Sequence, residues 1–132
     1  MVHACLLWQI FHHALPVRGT LFRRGIPLDP VCPLCLQEVE SIDHLFVQCP
    51  LSKRVSQLAT QHGWFPTAFR WDSTHDLRQQ LQVFESCKLR RSLLQKLSFL
   101  LWTIWKHRNN VVFRQENFNP LACLLNAKKL SN

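Results

Sequence analysis

At 132 residues, with 47% apolar residues, the chain is long enough for one domain with a real core, or one small domain plus an extension. The formal net charge of +8 favours an anionic partner, nucleic acid being the usual one, although a merely soluble basic surface accounts for it equally well. Only three glycines are present, which excludes a Gly-rich phosphate loop, and no signal peptide or bilayer-spanning apolar run is evident.

Residues 2–15 carry Val2, Leu6, Leu7, Ile10, Phe11 and Leu15 at the mixed three- and four-residue spacing of a helix face, and Pro16 stops the pattern. His12 and His13 are adjacent, point in different directions on a helix, and read as surface residues. Residues 17–24 predict a second short helix with Gly25 in the C-cap position. Leu21 and Phe22 can pack inward there, while Arg18, Arg23 and Arg24 are available either to phosphates or to solvent. Ile26 to Pro30 is extended, because two prolines prevent a helix.

The next stretch carries the chemistry. Cys32-Pro33-Leu34-Cys35, an acidic spacer, His44 and Cys49 form the pattern C-x2-C-x8-H-x4-C. Three thiols and one imidazole make a full tetrahedral ligand set for Zn²⁺, and their softness suits zinc where carboxylates suit magnesium or calcium. Ser41 can cap a short turn holding Ile42, Asp43 and His44. Pro50 disfavours a helical Cys49, which places that residue at or just past the end of the turn. The competing reading is a redox Cys-x-x-Cys pair beside two unrelated residues, but a thioredoxin-like motif needs a βαβ context that the chain lacks. A filled Cys3His set leaves no position for water, so the metal is structural, one Zn²⁺ per chain.

Pro50 suits the first turn of a third helix, with Leu51, Val55, Leu58 and Ala59 apolar, Lys53 and Arg54 off that face, and Gly63 at its end. Trp64, Phe65, Phe69 and Trp71 then crowd a loop, where they either stack bases beside Arg70 or cover the core. Ser73 and Asp76 read as the cap and third residue of a helix with Leu77, Leu81 and Phe84 apolar. The longest helix spans roughly 86–114. Leu89, Leu93, Leu97, Leu100, Leu101 and Ile104 keep one face apolar, and Trp102 and Trp105 widen it. Lys88, Arg90, Arg91, Lys96, Lys106 and Arg108 place cations on the other faces. So wide an apolar face signals a core or an interface, with a membrane-surface or calmodulin-type helix as the rival reading. Asn119 and Pro120 start a last helix through Lys129. Cys5, Cys87 and Cys123, outside the zinc pattern, read as small core residues.

Three strings together resemble a known family. They are Leu15-Pro16-Val17-Arg18-Gly19-Thr20-Leu21-Phe22-Arg23-Arg24-Gly25-Ile26, then Cys32-Pro33-Leu34-Cys35, then Glu40-Ser41-Ile42-Asp43-His44-Leu45-Phe46-Val47-Gln48-Cys49-Pro50. This arrangement is similar to the zinc-binding domain that follows reverse transcriptase in plant non-LTR (LINE-type) retroelements, over about residues 6–60. Ser56 stands where that family usually has Trp. The segment Trp102 to Phe113 resembles a string that follows the zinc domain in the same polyproteins and precedes their ribonuclease H region. The resemblance implies Cys32, Cys35, His44 and Cys49 as metal ligands, and it implies that N-terminal sequence of the family pattern is missing here.

The resulting expectation is a mainly α protein: a small helical domain with a Cys3His zinc knuckle and a long C-terminal amphipathic helix. A reverse-transcriptase-type zinc-binding domain would cover 1–63 and a helical extension 64–132. No enzyme is expected, since neither G-x-S-x-G nor H-E-x-x-H occurs and the acidic residues form no strand-borne cluster. Arg18, Arg23, Arg24, Lys53 and Arg54 are the candidate nucleic-acid contacts, to RNA or DNA. The rival reading is a protein-interaction or packing module that docks on a reverse transcriptase core, or self-associates, through helix 86–114. A catalytic zinc is a third reading and needs an open coordination position. Reduced thiols with zinc fit an intracellular setting, and no membrane partner is expected.

Overall fold

The computed structural model describes residues 2–65, 77 and 90–131, with side chains from residue 5 in the first stretch and from residue 92 in the last. Five α-helices are present among these residues: α1 (Val2–Phe11), α2 (Arg18–Arg23), α3 (Pro50–Gln61), α4 (Arg90–Arg114) and α5 (Pro120–Ser131). A π-helical turn, His44–Gln48, precedes α3. The only strand pairing among the described residues is an isolated antiparallel bridge between Val31 and Val39. The mainly helical fold with a long helix near the C-terminus is as the sequence predicts.

Helix ends follow local chemistry. α1 stops short of Pro16, because His13 adopts a left-handed conformation (φ 52°). The His13 N–H then reaches the Ile10 carbonyl at 3.2 Å and the Ala14 N–H reaches Gln9 at 2.8 Å, a Schellman closure. Gly25 (φ 87°) closes α2 in the same way, through Gly25 to Phe22 and Ile26 to Leu21, both 3.1 Å. A residue with a Cβ is disfavoured at such an angle, which is why glycine marks the helix end. Pro50 opens α3 at a position where its missing N–H costs nothing, and Cys49 before it is extended (ψ 128°), as expected of a residue preceding proline.

Among the described residues, one hydrophobic core joins the N-terminal and C-terminal helices. Leu6 and Ile10 of α1, Leu45 to Val47 of the π turn, and Val55 and Ala59 of α3 share it with Leu93, Leu97, Leu100, Leu101 and Ile104 of α4 and Cys123, Leu124 and Ala127 of α5. α5 packs on both α4 and α3, and α1 packs on α4. Each fully buried Leu, Ile or Phe stabilises the fold by about 1.5–3 kcal/mol, so α4 is held by its apolar stripe. Lys96 Nζ adds a 3.0 Å bond to the Trp64 carbonyl beyond the end of α3.

Several side chains lie elsewhere than the sequence pattern suggests. Phe22 is 53% exposed and does not pack inward, and Cys5 is exposed where a core position was expected. Cys123 is buried, as read from the sequence. Arg108, expected among the outward cations of the long helix, is buried. Trp64 and Phe65 stack at 5.1 Å and are buried in the core, so the core-covering alternative holds for these two. Phe69, Arg70 and Trp71, the Ser73–Asp76 cap, Leu81, Phe84, residues 86–89 of the long helix and Cys87 lie outside the described residues. Leu77 is buried and donates its N–H to Asp43 Oδ1 at 2.9 Å. Among the described residues no helix is long and apolar enough to cross a membrane.

Candidate metal centre

Residues 30–40 form a tight bracket that presents the first two cysteines. The Val31–Val39 bridge closes it, with Cys32 N–H donating to the Glu38 carbonyl at 2.7 Å and Glu40 N–H to the Pro30 carbonyl at 2.8 Å. Inside it, Leu36 N–H donates to the Cys32 carbonyl at 3.0 Å, and Leu36 takes φ 60° to reverse the chain. The sequence predicts the Cys-x-x-Cys turn, but not the pairing that clamps its base.

The second pair arrives from the other side. Ser41 Oγ accepts the His44 N–H at 3.0 Å, the cap expected from the sequence. One turn later the Cys49 N–H bonds the His44 carbonyl at 2.6 Å. The widened π turn between them lets His44 and Cys49 leave the backbone on the same side, where Leu45, Phe46 and Val47 anchor the turn in the core.

The ligand atoms of Cys32, Cys35, His44 and Cys49 lie within 4.8 Å of one another. Cys35 Sγ and His44 Nε2 are 3.2 Å apart. Tetrahedral zinc with Zn–S bonds of about 2.3 Å sets its sulfurs roughly 3.8 Å apart, so the set closes on a zinc ion with small adjustments. Three of the four residues are buried and Cys35 is half-buried, which leaves one edge of the site near solvent.

Cys32, His44 and Cys49 also perturb one another as acids. A hydrogen bond to Cys49, then burial, pushes the Cys32 thiol up to about 12. The same bond pulls the Cys49 thiol down, and hydrogen bonding from Cys32 raises His44. Groups that compete for protons in this way are those a divalent cation relieves, since zinc takes thiolates and a neutral imidazole together. The residues therefore fit one structural Zn²⁺, held by all four side chains.

The bracket is tied to the rest of the protein through Glu40. Its carboxylate is wholly buried, and Oε1 accepts the Arg18 backbone N–H at 2.7 Å. Both carboxylate oxygens also accept from Arg108 of α4: Nε to Oε2 at 2.8 Å and Nη2 to Oε1 at 2.6 Å. Sequence reading places Glu40 in an acidic spacer and misses this role. The signal that could have found it is the 3–4 spacing Leu97, Leu101, Ile104, Arg108, which puts Arg108 on the buried face of its helix.

The candidate nucleic-acid contacts are divided between two helices. Arg23 and Arg24 are exposed at the C-terminal end of α2, and Arg54 is exposed on α3 beside a half-buried Lys53. Arg18 is drawn partly inward, with Nη1 donating to the Asp29 carbonyl at 3.1 Å and Nε buried without a partner.

Residues 1–55 match the family described as zinc-binding in reverse transcriptase, which bears out the resemblance of this segment to a reverse-transcriptase zinc-binding domain. The match contains the whole ligand set and ends within α3. No curated protein and no solved structure matches the chain.

Proposed function

We propose that this chain is a non-catalytic zinc-binding module of reverse-transcriptase origin, from a plant LINE-type retroelement, that contacts RNA or DNA. The closed ligand set carries the reading. Four protein ligands saturate tetrahedral zinc and leave no position for a metal-bound water, so the ion shapes the surface instead of reacting. The match to a reverse-transcriptase zinc domain supports a nucleic-acid setting, as does a net charge of +8. Arg23, Arg24 and Arg54 are exposed near the ends of helices that flank the metal bracket, and they would meet phosphates.

The test is retention of a single-stranded RNA and a duplex DNA by the zinc-loaded protein across a salt series. Binding should weaken linearly on a log–log plot, and the pair Arg23→Ala/Arg24→Ala should lower the slope by about 2, near one per phosphate contact. Retention that ignores salt, or no retention of either nucleic acid, removes the nucleic-acid part.

A second reading, docking on a polymerase core or self-association, is favoured by one observation. Phe113 at the end of α4 is 77% exposed, and Leu121 and Leu125 stand one turn apart on the outside of α5. The apolar stripe of α4 itself is spent on the core, so the partner would meet this end of the helix pair. Sedimentation of the parent and of Phe113→Ser separates the cases: a monomer in both argues against self-association.

A further inference from the structure

Glu40 belongs to the segment that matches the zinc-binding family, yet the group that neutralises it does not. Arg108 lies 68 residues away, well beyond residue 55 where the match ends. The two side chains are 0% and 4% exposed. The guanidinium meets both carboxylate oxygens, its remaining Nη1 donates to Asn109 Oδ1 at 2.9 Å, and its Cζ lies over the Trp105 ring, 4.8 Å from the ring centre. An arginine held at every edge and over one face has a single place to be.

Glu40 sits between the two halves of the ligand set. Its N–H closes the base of the bracket that carries Cys32 and Cys35, and the next residue, Ser41, caps the turn that carries His44. A shift of Glu40 therefore moves one pair of ligands against the other. A buried carboxylate without a cation is costly, and one relief is for the chain around Glu40 to move toward water.

We propose that Arg108 is a positioning residue for the metal site. Through the Glu40 carboxylate, zinc binding and the docking of α4 and α5 onto the bracket are one linked event. The zinc domain is then complete only when the C-terminal helices are in place, and the matched segment alone is an incomplete unit. Linkage is reciprocal: whatever docked helices add to zinc affinity, zinc adds to helix docking. This rests on the zinc reading above.

The experiment is zinc affinity by competition with a chromophoric chelator, under reducing conditions, for the full chain, Arg108→Met, Arg108→Lys and the pair Glu40→Gln/Arg108→Met. Partners one shell beyond the ligands typically cost 10–100-fold in metal affinity when removed. Arg108→Met should weaken zinc binding by about tenfold or more. Arg108→Lys should fall between it and the parent, because a lysine cannot supply the two-pronged contact. The double variant should recover most of the loss, since neither charge is then buried alone. A second measurement covers the case in which Arg108→Met fails to fold: amide hydrogen exchange with and without zinc for the unmutated protein and Arg108→Lys. A loss of protection in α4 and α5 on chelation that is smaller in Arg108→Lys than in the parent supports the linkage. Zinc affinity within twofold of the parent in a folded Arg108→Met, or protection in these helices that is unchanged on chelation or lost as fully in Arg108→Lys as in the parent, overturns it. An unmutated chain that takes up no zinc overturns the zinc reading as well, which separates that failure from the failure of the linkage alone.

Discussion

Gly19 donates its backbone N–H to the Glu40 carbonyl at 2.8 Å, and the missing side chain is what allows the approach. A Cβ at this position would collide with that carbonyl oxygen and press on Val39 Cγ1 at 3.1 Å. The obstacle is backbone, so it cannot swing away. In an exposed helix, Gly to Ala gains up to about 1 kcal/mol of propensity. Here α2 would have to lift from the bracket, and overpacking of this kind costs about 1–3 kcal/mol. The clash outweighs the propensity. Gly19→Ala should lower the urea midpoint of the zinc-loaded protein, and a raised midpoint would show that α2 can shift freely.

Zinc removal should unfold the chain instead of merely loosening it. A structural zinc contributes about 10–16 kcal/mol at neutral pH, as large as the whole stability of a typical domain at about 5–15 kcal/mol. Chelation followed by circular dichroism should show loss of helix, reversed by added zinc. The ligands should not be equivalent. Cys35 is half-buried, so water can take its place in Cys35→Ser and keep a weakened site, whereas Cys32→Ser, at a buried position, should retain no zinc. Equal zinc content in the two variants would contradict the ordering.

The parts of this fold that are legible in the sequence are those set by short-range chemistry. Ser41 caps His44 because a hydroxyl three residues before an N–H is in reach whatever the rest of the chain does. Pro50 and Gly25 mark helix ends for equally local reasons. The ligand set is legible because zinc dictates residue types and spacing. The tie between Glu40 and Arg108 is not, because it spans 68 residues and pairs two charges that look like ordinary surface residues when counted singly. Nor does the sequence announce the Val31–Val39 bridge, a single pair with no alternating strand around it. Cys5 shows the limit of reading burial from composition: it adjoins Leu6, which is buried, but lies on the outward side of α1.

That difference between cysteines can be read chemically. Burial pushes the Cys123 thiol up to about 12, leaving it a neutral, enclosed thiol at neutral pH, while Cys5 is exposed. Thiolate is the reactive form, so accessibility and ionisation act in the same direction. In zinc-loaded protein carrying Cys87→Ser, iodoacetamide at neutral pH should label Cys5 and spare Cys123, with Cys32, Cys35 and Cys49 protected by the metal. Adding chelator should expose the three ligands together. Peptide mapping checks this, and early labelling of Cys123 would mean that α5 opens from the core far more readily than its packing implies.

Acid should weaken the seam between α4 and α5 through His107. Its ring Nε2 lies 2.8 Å from the Asn126 side-chain nitrogen of α5, and its edge meets Phe118 at 6.3 Å between ring centres. Burial, then the neighbouring Lys106 charge, lowers its pKa, with Glu116 opposing. A donor amide beside Nε2 also requires that nitrogen to be unprotonated. The folded chain therefore binds fewer protons here than the unfolded chain, whose histidine titrates at about 6.5. Stability from this group is complete above that value, falls as pH drops through it, and levels off below the lowered folded value. Zinc release also weakens the protein in acid, because thiolates regain protons. The informative quantity is thus the difference between the parent and His107→Gln, both zinc-loaded, in urea midpoint between pH 7.5 and pH 6. The parent should lose more over this interval than the variant. Parallel losses would assign the acid sensitivity to the metal site and leave the α4–α5 seam indifferent to pH.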